Sequence, residues 1–261
     1  MKRWEMERFI PGEVPLRCTV EYGDPESGLP PVLFMHGFGS HHELNWVRAG
    51  WPAALEGRTL IGLDLRGHGG SGRPHRDGAY APAEIAADAE RVLDALEVPR
   101  ADLLAYSMGS RNAWELALRR PDRVRRAVLA GFGPRDPFAG ADLDRLDTDP
   151  SPFGRLFQSV LEVPGNEAEA LAACARGQAA HPFTPEPAPG APLLFVAGER
   201  DAIAEGVEEL AAGCGARAVR VPGRTHANAV SARAFKEAVR DFLAREPSGA
   251  VSEPRGGAPQ A

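Results

Sequence analysis

Cysteine is scarce in this chain of 261 residues. There are three, Cys18, Cys174 and Cys214, far apart and in no C-x-x-C pair. That excludes a disulfide-stapled scaffold and a cysteine metal cluster, and it predicts reduced, partly buried thiols in a cytoplasmic protein. An excess of positive charge is also missing. The formal net charge is −6 and the pI about 5.7, which argues against a nucleic-acid or anionic-membrane partner held by charge. No apolar run reaches the length of a membrane span. Residues 1–8 alternate charged with apolar side chains and lack the apolar centre of a signal peptide. No internal repeat is present. What remains is 43% hydrophobic and 25% charged residues, the balance of a soluble globular chain long enough to bury a large core as one α/β domain.

The hydrophobic pattern has a repeating rhythm. Residues 16–22 alternate apolar and polar, as a half-buried strand does. The run 32–35 is apolar on both faces, the pattern of a strand buried between helix layers, and 58–63 reads as another buried strand. A helix-spaced stretch at 46–55 separates them. Residues 82–96 place Ile85, Ala89, Val92, Leu93 and Leu96 on one face behind Pro82, which predicts an amphipathic helix. Strands are predicted at 101–105, 124–130, 193–197 and 216–221, with helices at 112–120, 203–212 and 229–245. Strand–helix alternation predicts a mostly parallel central sheet flanked by helices, an α/β fold. Between 133 and 190 proline, aspartate and glycine are dense and no core-type strand occurs. This stretch is expected to be a small helical lid inserted after the strand at 124–130. The expected division is therefore a core of 1–132 with 191–245, a lid of 133–190, and a disordered tail of 246–261.

The chemistry centres on Ala105-Tyr106-Ser107-Met108-Gly109, which joins a buried strand to a helix. It fits G-x-S-x-G with alanine for the first glycine. A serine at such a sharp turn is pushed out at the sheet's edge, and the N–H of Met108 is left free at a helix start to stabilise an oxyanion. A second donor is expected from Phe38, in His36-Gly37-Phe38-Gly39 after the strand at 32–35. The glycine-dense loop at 64–72 lacks the Lys-Ser/Thr ending of a phosphate loop, so Asp64, Arg66 and His68 read as a self-bonded scaffold. Ser107, Asp201 and His226 each follow a predicted strand, and a parallel sheet gathers those ends on one edge. A serine hydroxyl becomes nucleophilic when an imidazole takes its proton, and a carboxylate orients that imidazole. Asp136, after the strand that ends near Gly131, competes with Asp201 for the acid's place.

These pieces together, His36-Gly37-Phe38-Gly39, Asp64-Leu65-Arg66-Gly67-His68-Gly69, Tyr106-Ser107-Met108-Gly109, Gly198-Glu199-Arg200-Asp201 and Pro222-Gly223-Arg224-Thr225-His226, resemble the α/β-hydrolase superfamily over roughly residues 16–245. The resemblance implies Ser107 as nucleophile, His226 as base and then acid, Asp201 as its partner, and the N–H groups of Phe38 and Met108 as the oxyanion hole. Serine at the elbow differs from the aspartate of the family's epoxide hydrolases and haloalkane dehalogenases. The implied activity is hydrolysis of an ester, thioester or lactone of a small molecule through an acyl-enzyme, with no metal and no organic cofactor. The alternatives are a C–C hydrolase, a lyase resembling the menaquinone-pathway enzyme of this fold, or a non-catalytic binding protein. The lyase is brought in by Tyr-Ser-Met-Gly-x-Arg, although Asp64-Leu65-Arg66-Gly67 departs from its pattern. In it, Arg111 would hold a carboxylate-bearing substrate, with His36 as a further substrate contact. The expected partner is a small-molecule substrate, with neither nucleic acid nor membrane.

Overall fold

A computed structural model describes residues 5–244 of the chain. The predicted tail at 246–261 lies outside the described residues. Eight strands form one sheet: β1 (Glu5–Ile10), β2 (Leu16–Glu21), β3 (Val32–Met35), β4 (Leu60–Leu63), β5 (Ala101–Tyr106), β6 (Val124–Ala130), β7 (Leu193–Gly198) and β8 (Arg217–Val221). Their spatial order is β1-β2-β4-β3-β5-β6-β7-β8. From β4 to β8 every pairing is parallel, and β1 and β2 run antiparallel at one edge. The chain leaves β3 for β4 on one side and returns to β5 on the other. The carboxyl ends of β3 and β5 therefore border the crevice where open α/β sheets bind ligands.

The period-two alternation of the buried strands splits the core between two faces. Leu33, Met35, Ile61, Leu63 and Leu103 meet α2 (Pro82–Ala95) and α3 (Met108–Arg119) through Ile85, Val92, Leu93 and Trp114. Val32, Phe34, Leu104 and Tyr106 point the other way, toward Trp46, Trp51, Phe235 and Val239. Those last residues lie on or beside α1 (Trp51–Ala54) and α7 (Arg233–Ala244). At the base of the sheet Asp102 is fully buried between Arg58 at 2.8 Å and Arg125 at 2.6 Å. Both arginines also donate to the Leu243 carbonyl, at 3.1 and 2.8 Å, which ties the last turn of α7 to the sheet.

Several elements differ from the sequence-based expectation. β1 has no counterpart in it: Phe9 is 62% exposed and only Ile10 of residues 6–10 is buried. This strand is held by pairing with β2 and not by burial, so it carries no hydrophobic signature. The helix expected at 46–55 is broken by Gly50, at φ +76°, into a wide turn over Glu43–Val47 and the single turn of α1. α6 (Val207–Gly213) starts four residues late, after Gly206 at φ +79°. α3 begins directly after Ser107, not at 112. α7 begins at Arg233 because Ala232 is extended.

After β6, the sixth strand, the segment up to β7 carries α4 (Pro152–Val160) and α5 (Ala168–Ala179). Leu146, Phe153, Phe157 and Leu171 form a separate apolar cluster that packs on Phe38. Ala173 and Cys174 of α5 pack on Tyr80 and Met108. Polar straps tie α5 to the loop before α2: Arg176 pairs with Asp77 at 3.0 Å, and Gln178 donates to the Tyr80 carbonyl at 2.6 Å. The exposed His75 side chain pairs with Glu167 and Glu169 of the same segment. No helix among the described residues is long and apolar enough to cross a membrane.

Candidate active site

Ser107 has φ 53° and ψ −121°, a conformation costly for any residue with a side chain, so the surrounding contacts must enforce it. They do so from both sides. The Ser107 N–H donates to the Ala130 carbonyl at 2.7 Å, and the Ser110 hydroxyl reaches the same oxygen at 2.8 Å. A Cβ at Gly109 would lie 2.2 Å from the Met35 carbonyl oxygen, so glycine is required for α3 to start this close to β3. At Gly37 a Cβ would stand 3.3 Å from the Ser107 Cβ. The adjacency of β3 and β5 thus brings the Phe38 and Met108 segments to the same serine.

His226 lies in the loop after β8. That loop is strapped to the loop after β7 by Arg200 N–H to the Arg224 carbonyl at 2.8 Å and by Gly223 N–H to the Glu199 carboxylate at 2.7 Å. His226 Nε2 stands 3.1 Å from Ser107 Oγ. On the other side, Nδ1 stands 2.9 and 3.1 Å from the two Asp201 oxygens. Asp201 is 3% exposed, and its carboxylate also accepts the Ile203 N–H at 3.0 Å, which holds it square to the ring. Asp136 is exposed and spends its carboxylate on the Phe138 N–H at 2.9 Å, so it is the aspartate the structure keeps away from His226.

Two residues expected to contact substrate are placed differently. His36 is fully buried, with Nε2 accepting the Leu65 N–H and Nδ1 bonded to the Gly37 carbonyl, both at 2.9 Å. With both nitrogens occupied inside the protein, it cannot touch a substrate. Arg111 is engaged with the insert. Its Nη2 donates to the His181 carbonyl at 3.2 Å, its guanidinium carbon lies 5.3 Å from the Phe183 ring centre, and Glu115 is 3.9 Å away. It clamps the returning end of the insert, one helical turn from the serine. His42 is buried, and Gly62 leaves it room: a Cβ there would meet the ring at 2.2 Å.

The glycine-dense loop is a bonded scaffold, but only in part with itself, since Arg66 pairs with Asp88 of α2 at 2.6 Å. Asp64 accepts from the N–H groups of His42 and Gly70 at 2.9 Å and from Arg17 at 2.8 Å, while His68 bonds the Arg66 carbonyl at 2.9 Å. Burial pushes His36 and His42 down to about 4 and His68 to about 3. Asn45 carries no periodic or motif signal in the sequence, yet its side-chain oxygen accepts the Gly37 N–H at 3.2 Å, next to the Phe38 peptide. Tyr106, quoted above only as a neighbour of the serine, donates its hydroxyl to the His226 carbonyl at 2.6 Å.

This fold and the elbow define a class, the α/β hydrolases. A family model described as alpha/beta hydrolase fold matches residues 30–164, and the chain belongs to that family. Among curated proteins it is 38% identical over 109 residues to a protein named epoxide hydrolase from Caballeronia sordidicola, covering 42% of this chain and 32% of that one. It is 40% identical over 101 residues to a 2-hydroxymuconate semialdehyde hydrolase of Pseudomonas putida, covering 39% and 36%. The aligned stretches thus span about a third of these relatives. A solved hydrolase from Pseudomonas aeruginosa PA01 superposes with a TM-score of 0.76 at 26% identity, over 92% of this chain and 98% of that one. The enol-lactonase from Burkholderia xenovorans LB400 gives 0.77 at 23% identity, over 91% and 100%, a likeness of fold. The protein thus has the α/β-hydrolase fold.

Proposed function

We propose that this protein is a serine enzyme that cleaves an ester, thioester or lactone of a small, mostly apolar molecule. The supporting observation is the unbroken line from Ser107 Oγ through the His226 ring to a buried Asp201 carboxylate. Ser107 Oγ attacks the carbonyl carbon as its proton passes to His226 Nε2. Asp201 fixes the ring with its Nδ1 proton inward and stabilises the imidazolium. The oxyanion that forms is stabilised by the Phe38 and Met108 N–H groups. His226 then protonates the leaving alcohol or thiol. Water, deprotonated by the same nitrogen, attacks the acyl-enzyme and releases the acid and free Ser107. The insert serves as the lid, and its Phe153, Phe157 and Leu171 beside Phe38 favour an apolar acyl group. The unpaired Cys18, Cys174 and Cys214 suit a reducing, cytoplasmic setting.

A second reading, C–C bond hydrolysis, draws on the named activity of the Pseudomonas putida relative. It needs a cation for the substrate carboxylate, and Arg111, the candidate, is engaged elsewhere. Ester-type hydrolysis is therefore preferred. The test is intact-mass spectrometry after exposure to a fluorophosphonate. One adduct on the wild type and none on Ser107→Ala is expected, with hydrolysis of p-nitrophenyl esters falling about 1,000-fold or more in the variant. An unlabelled wild type would overturn the acyl-enzyme reading.

A further inference from the structure

We propose that Tyr106 is a positioning residue whose hydroxyl holds the main chain of His226 against the nucleophile strand, keeping the imidazole between Ser107 and Asp201. The inference rests on the reading of Ser107 and His226 as nucleophile and base. Tyr106 Oη donates to the His226 carbonyl at 2.6 Å, and the two ring centres lie 5.2 Å apart at 41°. Next to them Gly131, at φ +57°, presents bare backbone. A Cβ there would sit 2.9 Å from Tyr106 Cζ and 3.0 Å from His226 Cε1, so the close approach of the two rings depends on glycine.

Tyr106 is itself packed on several sides. It is 5% exposed, with Trp46 edge-on at 6.4 Å and Phe235 at 6.4 Å. His226, by contrast, sits among exposed neighbours at Arg224, Thr225, Ala227 and Asn228. A base on an exposed loop loses rate when its ring wanders by a fraction of an ångström, and a tether to the rigid strand limits that motion. The tether joins the nucleophile and the base, since Tyr106 ends β5 and Ser107 is the next residue. Burial raises the hydroxyl's pKa, so it remains a neutral donor at all working pH values.

Tyr106→Phe keeps the ring packing and deletes only the donor. For p-nitrophenyl butyrate hydrolysis, kcat is expected to fall about 10-fold with KM within about twofold. The fluorophosphonate labelling rate should fall in the same proportion. The low-field proton signal of the His226 Nδ1–H should broaden, while the melting temperature shifts by no more than about 3 °C. Gly131→Ala, which wedges a methyl between the same two rings, should lower kcat as well and serves if the phenylalanine variant does not fold. Wild-type kcat and labelling in both variants would overturn the role, as would an activity loss matched by loss of folded protein. A wild type that the fluorophosphonate does not label sinks the serine-hydrolase reading instead. The proton signal needs no substrate and decides the positioning role in that case too.

Discussion

The Leu65 N–H points at His36 Nε2 from 2.9 Å, and this contact sets the tautomer of a buried ring. An N–H donor needs a lone pair, so Nε2 is bare and the proton resides on Nδ1, 2.9 Å from the Gly37 carbonyl. That bond pins the carbonyl of the Gly37–Phe38 peptide. The Phe38 N–H, anti to it across a trans peptide, must point the opposite way. Neutral His36 therefore belongs to the machinery that orients the expected oxyanion donor.

Acid should unfold the protein through these histidines. His36, His42 and His68 titrate near 4, 4 and 3 when folded and near the ordinary value of about 6.5 when unfolded. Above about 6.5 both states are neutral and the three contribute no pH dependence. As pH falls below it the unfolded chain takes up protons first, and stability drops by about 1.4 kcal/mol per pH unit for each histidine until the folded rings also protonate. Urea unfolding at pH 7, 6 and 5 should show a steadily falling free energy. A flat profile over that range would contradict the buried, neutral assignment.

Arg111 should matter for the insert more than for chemistry. Arg111→Ala removes the donor to His181 and the cation over Phe183, both at the point where the insert rejoins the core. Limited proteolysis within residues 133–190 is expected to accelerate several-fold, with a stability loss of about 1 kcal/mol. KM for neutral and carboxylate-bearing esters should change alike. A loss confined to the carboxylate-bearing ester would restore Arg111 as a substrate clamp.

Ser107 is held in a glycine-like conformation, φ 53° with ψ −121°. Ser107→Gly should relieve that strain, raising unfolding free energy by roughly 1 kcal/mol while abolishing ester hydrolysis. Chemical denaturation of the variant against Ser107→Ala, which keeps the Cβ, isolates the backbone effect. Equal stability of the two variants would show that the elbow stores no strain.

Much of the fold was legible because its signals are local. The strands β3, β4 and β7 are continuous apolar runs, β5 and β6 are apolar apart from Asp102 and the Arg125-Arg126 pair, and α2 carries a single apolar face behind Pro82, so each could be read from its own residues. Gly109 marks the elbow in the same way, since the nearby Met35 backbone leaves no room for a Cβ there. β1 was missed because pairing, not burial, forms it. The ends of α1 and α6 were misplaced because one glycine at positive φ outweighs good helix spacing on either side.

Residue order alone put Ser107, Asp201 and His226 each after a strand (β5, β7 and β8), and a parallel sheet brings such positions to one edge whatever the loops do. Side-chain direction is another matter. Arg111 lies within one turn of Ser107 in the sequence, yet Phe183 and the His181 carbonyl, 70 residues away, engage it. Asp136 and Asp201 both follow strands, but only Asp201 is buried against His226. His36 and Tyr106 look like a loop histidine and a strand aromatic until Leu65 and His226 arrive opposite them. Periodicity is a property of neighbouring residues and survives in one dimension. Which polar atom meets which depends on packing between distant segments, and that exists only once the chain has folded.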